Sequence, residues 1–114
     1  MIEYQIVGGS EHEQSLDVVV GADCRFFEGH FPGRPILPAV AQLALVEELL
    51  RRTIGRTVRI VALDRLRMLQ PVEPGERLSL RLRAGTDPTT ARFELDRGPT
   101  RISDGVVGWI VGEA

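Results

Sequence analysis

Apolar and polar positions change rhythm along this chain, and the rhythm divides it into elements. Leu78, Leu80 and Leu82 alternate with Ser79, Arg81 and Arg83, and Ala91, Phe93 and Leu95 alternate with Arg92, Glu94 and Asp96. A period of two marks antiparallel strands with one face packed and the other wet. Residues 2–7 and 15–20 read as two short strands around a polar turn at residues 8–13. Residues 58–72 are strand-like and rich in β-branched side chains, closed by Pro71 and the turn Glu73-Pro74-Gly75-Glu76. Residues 102–111 form the last strand, apolar on both faces around Trp109.

One stretch keeps a different period. From Val40 to Leu50 the apolar residues point in nearly every direction, with Gln42, Glu47 and Glu48 the exceptions. A helix that is hydrophobic most of the way round is buried. Pro38 suits its first turn and Gly55 its C-cap, so the helix is predicted over about residues 38–53. Residues 25–38 before it, dense in Gly and Pro, are a loop. One buried helix and five or six antiparallel strands predict an α+β fold, a sheet curled around the helix. So few helices cannot cover the sheet, and its exposed edge is expected to pair with a second subunit.

The 114 residues suit one domain, residues 1–114, with no internal repeat or dividing linker. Hydrophobic residues make up 43% and charged residues 26%, enough for a packed core. A net charge of −2 and a pI of about 5.7 argue against nucleic-acid binding. The longest uncharged run, residues 35–46, is far short of the ~20 apolar residues of a membrane span. The N-terminus lacks the basic and apolar regions of a signal peptide, so a soluble, cytoplasmic protein is expected. Cys24 is the one cysteine and cannot form an internal disulfide.

Candidate chemistry concentrates in Phe26-Phe27-Glu28-Gly29-His30-Phe31-Pro32-Gly33-Arg34-Pro35-Ile36-Leu37-Pro38. A histidine stands there in a constrained, apolar loop directly before a buried helix. Imidazole titrates near ~6.5 and is the usual general base at neutral pH. The helix N-terminus adds free N–H groups and a positive dipole end, where a thioester carbonyl or its enolate can be polarised. His12, between Glu11 and Glu13, reads as a solvated surface residue, and Cys24 as a buried structural thiol. Two histidines and one cysteine make no zinc set.

This stretch resembles the hotdog-fold (3R)-3-hydroxyacyl-[acyl-carrier-protein] dehydratases of fatty-acid and polyketide synthesis. Their pattern is roughly Gly-His-Phe-Pro-x-x-Pro-x-x-Pro-Gly-Val, and residues 29–40 match it with one substitution, Ala39. Downstream, Gln70-Pro71-Val72-Glu73-Pro74-Gly75-Glu76-Arg77-Leu78 is similar to the family's Pro-Val-x-Pro-Gly-Asp-x-Leu phrase. The resemblance spans about residues 15–112 and lies nearer to compact members of aryl-polyene and other secondary-metabolite clusters.

The resemblance implies a hydro-lyase acting on acyl thioesters. His30 matches the histidine that takes the proton α to the thioester, and the Ala39 N–H matches the amide that binds the thioester oxygen. Phe31, Gly33, Pro38, Val40 and Ala44 would line the substrate site. Arg34, Arg51 and Arg52, with Arg25 and Arg56, would form a positive rim for an acidic acyl carrier protein. No cofactor is implied beyond the phosphopantetheine, of carrier protein or CoA, on which the substrate rides. The family's second catalytic residue, an Asp or Glu fourteen positions after the histidine, is replaced here by Ala44. Glu48, one turn further on and expected on the same face, is the substitute acid this points to, with Glu47 leaning that way too. Against this, Glu47 with Arg51 and Glu48 with Arg52 have the spacing of ordinary i,i+4 surface ion pairs. Two alternatives are a catalytically incomplete carrier-binding subunit, or heterodimer partner of an intact dehydratase, and a hotdog thioesterase. The homodimer is the default assembly.

Overall fold

The computed structural model describes residues 4–10, 14–21 and 37–112. Six strands and one helix follow in the order β1 (Gln5–Ser10), β2 (Ser15–Val19), α1 (Ala39–Ile54), β3 (Val58–Met68), β4 (Arg77–Ala84), β5 (Thr90–Arg97) and β6 (Thr100–Val111). All strands join one antiparallel sheet in the order β1-β2-β4-β5-β6-β3. The described helix and the curled six-stranded sheet make the hotdog fold expected from the sequence.

Alternation sets the register. Leu16 faces Leu80, Leu80 faces Leu95, and Leu82 faces Phe93, so one sheet face carries an unbroken apolar layer. Val18, Leu78, Phe93, Leu95 and Val107 in that layer are essentially inaccessible to solvent. Against it α1 packs Ala41, Leu45, Val46, Leu49 and Leu50. Gly105 opposes Phe93, and a Cβ at 105 would lie 3.0 Å from the Phe93 ring and 3.2 Å from the Leu66 Cα. Gly55 ends the helix at φ 77°, its N–H donating to the Arg51 carbonyl at 2.8 Å.

Several boundaries differ from the sequence reading. β1 begins at Gln5 and runs through Gly8, Gly9 and Ser10, which were expected in the turn; Gly9 and Ser10 face Leu16 and Ser15 across the ladder. β3 stops at Met68 rather than near residue 72. There Leu69 and Gln70 both donate to the Ile102 carbonyl, so the backbone leaves the ladder, and Pro71 has no N–H to rejoin it. The helix is also less enclosed than its composition suggests. Gln42 is buried, whereas Val40 is 62% exposed and Leu43 and Ala44 are only half-buried.

That open face adjoins β3, which ends the described sheet and lacks a neighbour on one side among the described residues. Val61, Leu63, Leu66 and Met68 along it are exposed. β3 slips register against β6 twice, between Ile60 and Ala62 and between Asp64 and Arg67. On the outer face of the sheet the Asp104 side chain is fully covered by three guanidinium groups. Arg67 reaches it at 2.8 Å through Nε, Arg101 at 2.9 Å and Arg92 at 3.1 Å. Among the described residues, no helix is long and apolar enough to cross a membrane.

Candidate active site

The helix start is built from three short connections. Pro38 is the N-cap at φ −73° and ψ 164°, an extended conformation its ring already favours. Its carbonyl accepts from the N–H groups of Ala41 and Gln42 at 3.1 and 3.2 Å. The Gln42 side chain donates to the Leu37 carbonyl at 3.2 Å and accepts from the Ser103 hydroxyl at 2.8 Å. The Leu37 N–H donates to the Val72 carbonyl at 2.9 Å. The turn entering α1 is thus fastened to β6 and to the segment after β3. Gln42 packs rather than lying open.

Pro38 supplies no side-chain cap, and the first turn of the helix holds no acidic residue. Among the described residues nothing accepts from the N–H groups of Ala39 and Val40. The first amides of a helix carry its positive dipole end and favour an oxyanion. Beside them runs a groove of about 490 Å³, walled by Val40, Leu43, Ala44 and Glu47 from α1 and by residues 60–63 of β3. Among the described residues that line it, every side chain but that of Glu47 is apolar.

The two candidate acids lie on different sides of the helix. At about 100° per residue, Val40, Leu43, Ala44 and Glu47 span one stripe, with Glu47 within ~10° of its middle and Glu48 ~90° away. Glu48, ~40° round the helix from Ala44, is not among the described residues that line the groove. Its carboxylate accepts from Arg51 at 2.6 Å and from Arg52 at 3.3 Å, and hydrogen-bonds the Tyr4 side chain. Partial burial pushes the Glu48 carboxyl up, but the bonds from Arg51 and Tyr4 and the two arginine charges outweigh it and hold the group below its ordinary range. Burial, then the Glu48 carboxylate, raises Tyr4 in turn.

Glu47 makes no ion pair with Arg51 among the described residues, because Arg51 is turned to Glu48. Its Oε2 instead accepts from the Ile60 backbone N–H at 3.2 Å. Arg51 and Arg52 sit in the last turn of α1, ~18 Å along the axis from Ala39. His30, Phe31, Gly33 and Arg34 lie outside the described residues, as do His12, Cys24 and Arg25. Among the described residues no group of three or more His, Cys, Asp or Glu is placed to hold a metal ion.

Known proteins agree with this architecture. One chain of the dehydratase heterocomplex ApeI:P from Xenorhabdus doucetiae superposes with a TM-score of 0.82 at 20% identity, covering 94% of this chain and 97% of that one. The 3-hydroxyacyl-[acyl-carrier-protein] dehydratase FabZ of Caulobacter sp. (strain K31) is 29% identical over 119 residues, 90% of this chain and 71% of its own length. The FabZ of Syntrophobacter fumaroxidans is 38% identical over 66 residues, 51% of this chain. The matched part spans less than half the length of the first curated relatives. The ApeI-like family, described as ApeI dehydratase, matches residues 7–106, and the chain belongs to that family.

Proposed function

We propose that the chain dehydrates 3-hydroxyacyl thioesters presented on an acyl carrier protein or CoA. The observation that carries this reading is the acid-free start of α1, with no cap among the described residues, beside an apolar groove. A thioester carbonyl at the Ala39 and Val40 amides gains stabilisation as negative charge grows on its oxygen, which acidifies the α carbon. His30, the residue that matches the family's histidine in the sequence, takes the α proton as the β hydroxyl departs. The groove between α1 and β3 holds the acyl chain among Val40, Leu43, Ala44 and residues 60–63. An exposed apolar edge at β3 supports a dimer that covers this groove from its open side.

Purified protein and a 3-hydroxyacyl carrier-protein substrate test it. Mass spectrometry should detect the enoyl product, smaller by one water, and His30→Ala should lower its rate by roughly 10²–10⁴-fold. Release of a free thiol in place of the enoyl product would make the chain a thioesterase. A second reading is favoured by Ala44, which leaves the family's acid position empty. There the chain is one half of a heterodimer whose other hotdog subunit supplies the acid. It predicts no turnover by this chain alone and turnover when a related dehydratase subunit is added.

A further inference from the structure

We infer that Glu47 supplies the carboxyl group that faces the departing hydroxyl, three residues along the helix from the position where Ala44 offers none. This rests on the dehydratase reading above. Among the described residues Glu47 carries the only ionisable side chain lining the groove, and it does so from the same helical stripe as Ala44. Side chains three apart on a helix are neighbours, about 5–6 Å between Cβ atoms, so its longer side chain covers the gap left by the alanine methyl.

Its surroundings are those of an oriented group rather than of a surface charge. Glu47 is half-buried, and Arg51, its expected i,i+4 partner, is bonded to Glu48. The Ile60 N–H fixes Oε2, at the point where β3 slips register against β6. No described group donates to Oε1, which is left for the substrate. In the elimination, the imidazole takes the α proton and the C–H electron pair becomes the Cα=Cβ bond. The Cβ–O bond breaks, and the oxygen leaves as water with the proton of the Glu47 carboxylic acid. Exchange with solvent returns a proton to Glu47 and removes one from the imidazolium.

The test compares wild type, Glu47→Gln, Glu48→Gln, Ala44→Glu and the double variant Ala44→Glu/Glu47→Gln on one 3-hydroxyacyl carrier-protein substrate. Glutamine keeps an oxygen for the Ile60 N–H, so Glu47→Gln should fold as wild type does, with an unchanged melting curve. Its kcat should fall by about 10²–10⁴-fold, with KM shifted by less than about threefold. Glu48→Gln should hold kcat within about twofold, and the double variant should recover at least about tenfold over Glu47→Gln. Undiminished turnover by Glu47→Gln, or equal losses in Glu47→Gln and Glu48→Gln, would overturn the assignment while leaving the dehydratase reading intact. A wild type inert alone beside an active Ala44→Glu would do the same. No turnover by any of the five would instead refute the reading of the chain as a self-sufficient dehydratase, and the inference with it.

Discussion

Asp104→Asn removes one charge and almost no volume, which makes it a sharp probe of the outer face of the sheet. The Asp104 side chain is 0% exposed, and hydrogen bonds from Arg67, then from Arg101, outweigh the opposing effect of burial. Together they hold its carboxyl at about 2 instead of the ordinary 3.8. At ~1.4 kcal/mol per unit, that difference sets an upper figure of about 2.5 kcal/mol for the ionised group in the folded state. The guanidinium partners are themselves partly wet, at 57%, 38% and 31% exposed for Arg67, Arg92 and Arg101. Solvent screening brings the expected loss down to about 1–2 kcal/mol.

The pH dependence follows from the direction of the shift. A carboxyl depressed by folding contributes its full stability above the unfolded value, and the contribution vanishes as pH falls through the folded one. Wild type should therefore exceed Asp104→Asn by a constant margin from pH 5 to 8. The margin should narrow below about pH 4 and close near pH 2. Thermal melts at fixed protein concentration should show a drop of about 4–10 °C at pH 7. Amide exchange should quicken first at Arg67 and Met68, where β3 loses its tie to β6. A pH 7 difference under ~0.3 kcal/mol, or one that fails to narrow between pH 4 and pH 2, would refute the reasoning.

Two further substitutions probe the frame of the site. Gln42→Ala strands the Ser103 hydroxyl and frees the Leu37 carbonyl; chemical denaturation should show a loss of about 1–3 kcal/mol. Gly105→Ala places a methyl 3.0 Å from the Phe93 ring and 3.2 Å from the Leu66 backbone. Neither can retreat freely, so overpacking should cost about 1–3 kcal/mol, read from the urea midpoint at unchanged slope.

Much of the fold was legible because β2, β4 and β5 alternate strictly. Leu78, Leu80 and Leu82, and Ala91, Phe93 and Leu95, announce which face is buried, and β4 and β5 bury those residues. Gly55 likewise marked the helix end correctly. The misplaced strand ends are where backbone hydrogen bonds rather than side chains decide, as at Leu69 and Gln70 sharing the Ile102 carbonyl. The helix misled in a different way. Val40, Leu43 and Ala44 are as apolar as the residues packed on the sheet, so composition cannot tell a face that meets the chain's own core from one left open. Nor does local spacing reveal Asp104: its partners Arg67 and Arg92 stand 37 and 12 residues away and meet it only once β3, β5 and β6 align.

The glutamine at position 42 has one more effect. By bridging a loop carbonyl to a fully buried serine of β6, it gives the opening amides of α1 the stillness of the sheet's interior. Whatever rests against those amides meets a fixed datum, and accommodation of bulkier guests falls instead to the opposite wall, the strand β3, which among the described residues is paired on one side alone.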